Sequence, residues 1–117
     1  MPTFGQLIRK ARTMARKTLQ DAATALNVSV VYVSEVELGK RPPFSAERIE
    51  KLAVLYNTEA SPLLEAACRE RGYLEIDMAS PSDWQLKVVS GLARGGLTEE
   101  QWEEIYRVIE RGPSVTR

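Results

Sequence analysis

The side chains that usually carry catalysis or bind metals are scarce in this chain. It has no histidine, and Cys68 is its one cysteine. A His-dependent triad is therefore excluded, as are the usual zinc-site spacings and an intrachain disulfide. Carboxylates are plentiful, but they sit on helix faces as solvated charge and form no catalytic constellation. An enzyme is the least expected class, and no cofactor is expected. What stands out instead is DAATALNVSVVYVSEVELGKRPP, residues 21–43. It sets valines, hydroxyls, a tyrosine and carboxylates between Lys17, four residues before it, and Lys40–Arg41 near its end. Such a set suits recognition by shape, apolar contact and hydrogen bonds rather than bond-making.

Composition bounds the scaffold. The chain has 117 residues, enough for one domain or a small domain with an appended oligomerisation element. A hydrophobic share of 44% is ordinary for a globular protein. No apolar run approaches the ~18 residues of a membrane span. The N-terminus, MPTFGQLIRKAR, lacks an apolar signal-peptide core, so the expected compartment is the cytoplasm. Charge is unevenly spread although it sums to zero. Residues 1–57 carry nine basic and five acidic residues, and residues 58–117 carry seven and eleven. A basic half joined to an acidic half fits a nucleic-acid-binding head and a body with another task.

Apolar spacing and capping residues predict a run of short helices. Thr3 and Gln6 have capping-box spacing ahead of a first helix to about Ala15, with Phe4, Leu7, Ile8 and Ala11 on one face. Thr18 is placed to cap a second, LQDAATAL, with Asp21 in its first turn. Asn27 follows, where a sharp turn wants positive φ; Gly is the default and Asn the next most tolerant. Ser29 caps a third helix to about Glu37, and Gly39, Pro42 and Pro43 stop it. SAERIEKLAVLYN is a fourth, capped by Ser45, with Ile49, Leu52, Ala53 and Tyr56 as its stripe. In the fifth, SPLLEAACRERG, Ser61 caps, Pro62 takes the first helical position and Gly72 closes. Cys68 sits there as a packed small hydrophobe.

Helices two and three are joined only by NVS, so they cannot lie antiparallel and must cross at a large angle. Ala22, Ala23 and Leu26 form the inner face of the second helix, Val28 plugs the turn, and Val33 and Val36 face inward from the third. Ala23 is small where the two backbones approach. This is the helix-turn-helix pattern. Through LQDAATALNVS, VYVSEVELGKRPP and AERIEKLAVLYN, residues 4–57 resemble the DNA-binding domain of the lambda-repressor and Cro-like (Xre-type) helix-turn-helix family. Five helices through about Arg71 match that domain. Three residues depart from the family. Asn27 stands for the usual Gly, and Leu38 for a usually polar residue. Leu19 stands where many members carry a phosphate-holding Gln, so either that anchor is absent or Gln20 or Thr18 supplies it.

The resemblance implies that the third helix enters the major groove with its N-terminal residues at the base edges. Its outward face holds Ser29, Val30, Val31, Tyr32, Ser34 and Glu35. Val30 and Val31 can pack on thymine methyls, and Glu35 can accept from cytosine N4. Tyr32 can reach a phosphate or stack on a sugar. Thr18 and the amides opening the second helix can meet a phosphate. Lys17, Lys40 and Arg41 flank the face as backbone contacts, with Arg9 and Lys10 as weaker candidates. The family equivalent of Glu37 is structural and pairs with an arginine of the first helix, here Arg12.

Beyond the head, YLEIDM alternates apolar and acidic residues over 73–78, which reads as a short strand or a linker. Ser82 with Gln85, and Thr98 with Gln101, have capping-box spacing for two further helices, about 82–93 and 98–111. They would bury Trp84, Val88, Leu92, Trp102, Ile105 and Ile109. The tail, SVTR, is expected to be loose. The expected fold is therefore mainly all-α. A five-helix lambda-repressor-like domain spans 1–72, and 73–117 forms a strand candidate and a helical hairpin used for dimerisation. The expected function is a transcriptional regulator, a repressor acting as a homodimer on a palindromic operator in double-stranded DNA. Its size resembles regulators of phages, mobile elements and restriction systems. The alternative is an antitoxin or protein-interaction module of the same fold, with a toxin or other regulator as partner.

Overall fold

A computed structural model describes residues 1–112; Pro113 and the tail expected to be loose lie outside the described residues. Seven helices follow in order: α1 Phe4–Met14, α2 Leu19–Leu26, α3 Val30–Glu37, α4 Ala46–Leu55, α5 Ser61–Arg71, α6 Asp83–Arg94 and α7 Glu99–Arg111. The chain forms two compact units, Met1–Asp77 and a second beginning at Met78.

Helix starts follow local chemistry. Thr3, Thr18, Ser82 and Thr98 each accept from the third helical amide, and Gln6, Asp21, Gln85 and Gln101 reach back to the cap amide. Ser29 and Ser45 cap α3 and α4 from one side only. The expected cap at Ser61 does not form. Ala60 is already helical there, at φ −75° and ψ −32°, and no side chain caps α5. Pro62 in the first turn tolerates this, because it removes one of the amides that would need a partner.

Helix ends use left-handed residues. Gly39 and Gly72 do so at φ 78° and 83°. Asn27, at φ 56° and ψ 48°, makes the sharp α2–α3 turn. Arg16 and Asn57 adopt the same conformation, at φ 57° and 50°, after α1 and α4.

The five helices of the first unit enclose one core. Phe4, Ile8, Val33, Val36, Phe44, Ile49 and Leu52 are its largest fully buried side chains. Phe44, from the α3–α4 connection, meets Phe4 edge-to-face with ring centroids 6.2 Å apart. Gly5 lets α1 approach α3 closely. A β-carbon there would lie 2.3 Å from the Glu37 carbonyl oxygen and 2.6 Å from that of Val36. The side chain of Glu70 accepts from the Phe4 amide, and Arg71 donates to the Pro43 carbonyl, so α5 ties both the start of α1 and the α3–α4 connection.

Residues 73–78 form no strand. The compact unit runs to Asp77, five residues beyond the expected boundary, with Leu74 and Ile76 beside Leu64 of α5 and Ala46 of α4. In the second unit, α6 and α7 form as expected but do not close on each other as a hairpin: no Cα atom of one lies within 8 Å of the other. Gly95 and Gly96 hold the connection open, with Gly95 at φ 76° and ψ −167°. Neither helix contains a buried residue. Trp84 is 75% exposed and Ile109 67%, so the expected burial of that stripe does not occur within one chain.

Candidate nucleic-acid interface

The α2–α3 crossing is set by buried Ala22, Ala23 and Leu26 against Val33 and Val36. Val28 plugs the turn against the same core. This leaves one face of α3 outside. Val31 is its most exposed hydrophobe, at 64%. Ser34 and Glu35, three and four residues on, share its side of the helix and are half-buried. Val30 and Tyr32 are also half-buried and pack against the core, so both support the fold as well as facing outward. Ser29 is exposed, with its hydroxyl committed to the Tyr32 amide at 3.1 Å.

The start of α2 precedes this helix in the chain. Thr18 Oγ1 accepts from the Asp21 amide at 3.0 Å, and Asp21 Oδ2 accepts from the Thr18 amide at 2.9 Å. The Thr18 amide, and then its hydroxyl, hold the Asp21 carboxyl below the usual carboxylate range, with Lys17 adding to the effect. The Leu19 and Gln20 amides remain as the free donors of this helix start, since neither has an intrahelical acceptor. Leu19 packs against the core and offers no polar anchor. Gln20 lies along the exposed helix surface and donates to Thr24 Oγ1 at 3.1 Å.

Cations border the face. Lys17 is half-buried, and Lys40 and Arg41 are exposed. Arg41 Nε lies 3.6 Å from Glu35 Oε2, a surface pair. The Arg41 guanidinium carbon is 5.0 Å from the Tyr32 ring centroid. A second guanidinium, that of Arg48, lies 5.5 Å from the same centroid, and its Nη1 donates to the Tyr32 hydroxyl at 3.1 Å. Sequence reasoning missed Arg48. It belongs to the first turn of α4, outside the helix-turn-helix motif, and nothing local marks it. Arg9 and Lys10 are exposed on α1, and no contact joins them to the face.

Behind the face sits the brace. Arg12 Nε donates to Glu37 Oε2 at 2.8 Å and Nη2 to Oε1 at 3.0 Å, a bidentate pair. Arg12 Nη1 also donates to the Lys17 carbonyl at 3.1 Å. One guanidinium thus joins α1, the α1–α2 connection and the end of α3. The bonds to Glu37 raise the Arg12 pKa above its ordinary value, against the opposing effect of burial. The pair implied by the resemblance is present, and Glu37 is the one buried charged residue among those described.

Residues 3–73 match the Helix-turn-helix domain family, which is more than half of the chain. The chain belongs to that family. Its five-helix head and this membership define a helix-turn-helix protein, with α3 as the outward-facing second helix of the motif. No curated protein matches it. Among solved structures, the SinR protein/SinI protein complex is similar at 21% identity, covering 95% of this chain and 100% of that one, with a TM-score of 0.48. No helix among the described residues is long and apolar enough to cross a membrane.

Proposed function

We propose that the protein is a cytoplasmic transcriptional repressor that binds a palindromic or pseudo-palindromic operator as a homodimer. It works without catalysis or a cofactor. The observation that carries this reading is the outer face of α3. Val31 projects into solvent with no core duty, Ser34 and Glu35 lie beside it, and the charge needed for a phosphate backbone stands around it rather than on it. Lys17, Thr18, Gln20, Lys40 and Arg41 then position the head, while Ser29, Val30, Val31, Ser34 and Glu35 meet the bases. A face with valines and no arginine reads thymine methyls and shape more than guanine. The exposed apolar stripes of α6 and α7 support the homodimer, since a second copy would cover them. A bound dimer represses simply by blocking polymerase.

The same stripes favour a second reading, in which they take a toxin or another regulator and the protein is an antitoxin or interaction module. Selection of bound sequences from a random DNA pool tests the first reading. The expected result is a symmetric, thymine-containing site. Affinity for random DNA should fall steeply with salt, as phosphate-anchored binding does. Absence of DNA binding at low salt would leave the interaction module. Val31→Ala should weaken the selected site about tenfold, the scale of ~1–3 kcal/mol for one base contact, and leave random DNA nearly unchanged.

A further inference from the structure

Four helices of this chain begin with the same reciprocal device, a hydroxyl cap answered by Gln6, Asp21, Gln85 or Gln101 at the third helical position. The helices α3 and α4 depart from it. Both have a serine cap, but the third helical position holds Tyr32 in α3 and Arg48 in α4. A guanidinium has no acceptor to offer the cap amide, and the positive end of the helix dipole disfavours a cation. These two departures meet in the fold. Arg48 donates to the Tyr32 hydroxyl at 3.1 Å. Phe44 packs edge-to-face on the Tyr32 ring at 5.4 Å and ties it to the core. The ring therefore holds two guanidiniums, those of Arg41 and Arg48, against a fixed support. Arg41 has Glu35 as a counter-charge. Arg48 has no carboxylate within 4.0 Å among the described residues. Natural chains break such local rules chiefly at functional sites, and two breaks meeting at one ring mark this spot as one.

We infer that Tyr32 is a positioning residue rather than a base reader, and that Arg48, with Arg41, forms a clamp for a DNA phosphate beside α3. The inference rests on the DNA-binding reading and deepens it. A planar guanidinium presents paired donors that match phosphate oxygens. A ring beneath the guanidinium and a hydroxyl at its edge lower the rotamer freedom lost on contact.

The test is equilibrium binding of the full chain to a random-sequence duplex and to a duplex obtained by selection, across a range of salt. Arg48→Gln should weaken both about fivefold and reduce the salt slope by about one. Tyr32→Phe keeps the ring and loses the hydroxyl. It should weaken both about two- to threefold and leave the selected sequence unchanged. Arg48→Lys keeps the charge and the slope. If Arg48→Gln does not fold, Arg48→Lys and Tyr32→Phe carry the test, with weaker binding to both duplexes in each as the expected result. Wild-type binding together with unaltered affinity and slope in Arg48→Gln overturns the clamp and leaves the functional reading standing. A changed selected sequence in Tyr32→Phe overturns the positioning role. Failure of the wild type to bind any duplex at low salt overturns both.

Discussion

Removing the Glu37 carboxylate would strand the Arg12 guanidinium, whose side chain is only 14% exposed. Breaking such a pair costs ~3–5 kcal/mol, because a buried charge is left without its partner. Glu37→Ala should therefore lower the melting temperature by more than about 10 °C, where each kcal/mol is worth ~4–8 °C in a domain this small. Altered base preference at an unchanged melting temperature would show that Glu37 reads DNA instead. Tyr56 makes the opposite case. Its hydroxyl is buried with no hydrogen-bond partner. Burial first, and then the charge of Glu37, push its pKa from 10.0 up to about 12. Folding thus favours the neutral phenol. That contribution is complete below pH 10, the unfolded value, and is lost as pH rises towards about 12. Tyr56→Phe should match or exceed wild-type stability at pH 7, by up to ~1 kcal/mol, since it removes an unsatisfied group. Urea unfolding at pH 8 and pH 11 should show a smaller alkaline loss in the variant; equal losses would mean the phenol is not the titrating group.

At the scale of the element, the question is what seats α3. Its caps and the Asn27 turn are local, and both were legible: Ser29 lies three residues before the amide it caps, and Asn is a known visitor to positive φ. Arg16 adopts the same conformation without any such signal, because arginine has no preference for it. Gly5 also escaped notice. It sits inside α1, where glycine reads only as a weak helix former. Its role appears when the main chain of Val36 and Glu37 is found against it. Gly5→Ala should destabilise the head by ~2–3 kcal/mol, because the obstructing atoms are backbone and cannot rotate away. An unchanged urea midpoint would mean that α1 and α3 shift apart at little cost.

For the whole molecule, the two units divide the work. The head owns a core, whereas α6 and α7 own only apolar stripes facing solvent. A chain ending at Asp77 should melt cooperatively and sediment as a monomer. It should bind random DNA about as well per head as the full chain. It should lose ~100-fold or more on the operator, the scale on which linking two sites raises affinity. The full chain should sediment as a dimer at micromolar concentration. A monomer both with and without DNA would remove the dimer from the reading.

Helix periodicity, the α2–α3 turn and every expected cap except Ser61 were decided by the sequence alone, because each depends on groups within three or four residues of one another. The Arg12–Glu37 brace came through family resemblance, and its geometry needed the fold, since 25 residues separate the partners. Only the tertiary structure showed Tyr32 beneath two arginines, Arg48 among them, 16 residues away. It also showed residues 73–78 without a strand and α6 and α7 apart within one chain. An amphipathic pattern states that a face needs covering; it does not state by what. That choice depends on distances across the chain, which hydrophobic period does not encode.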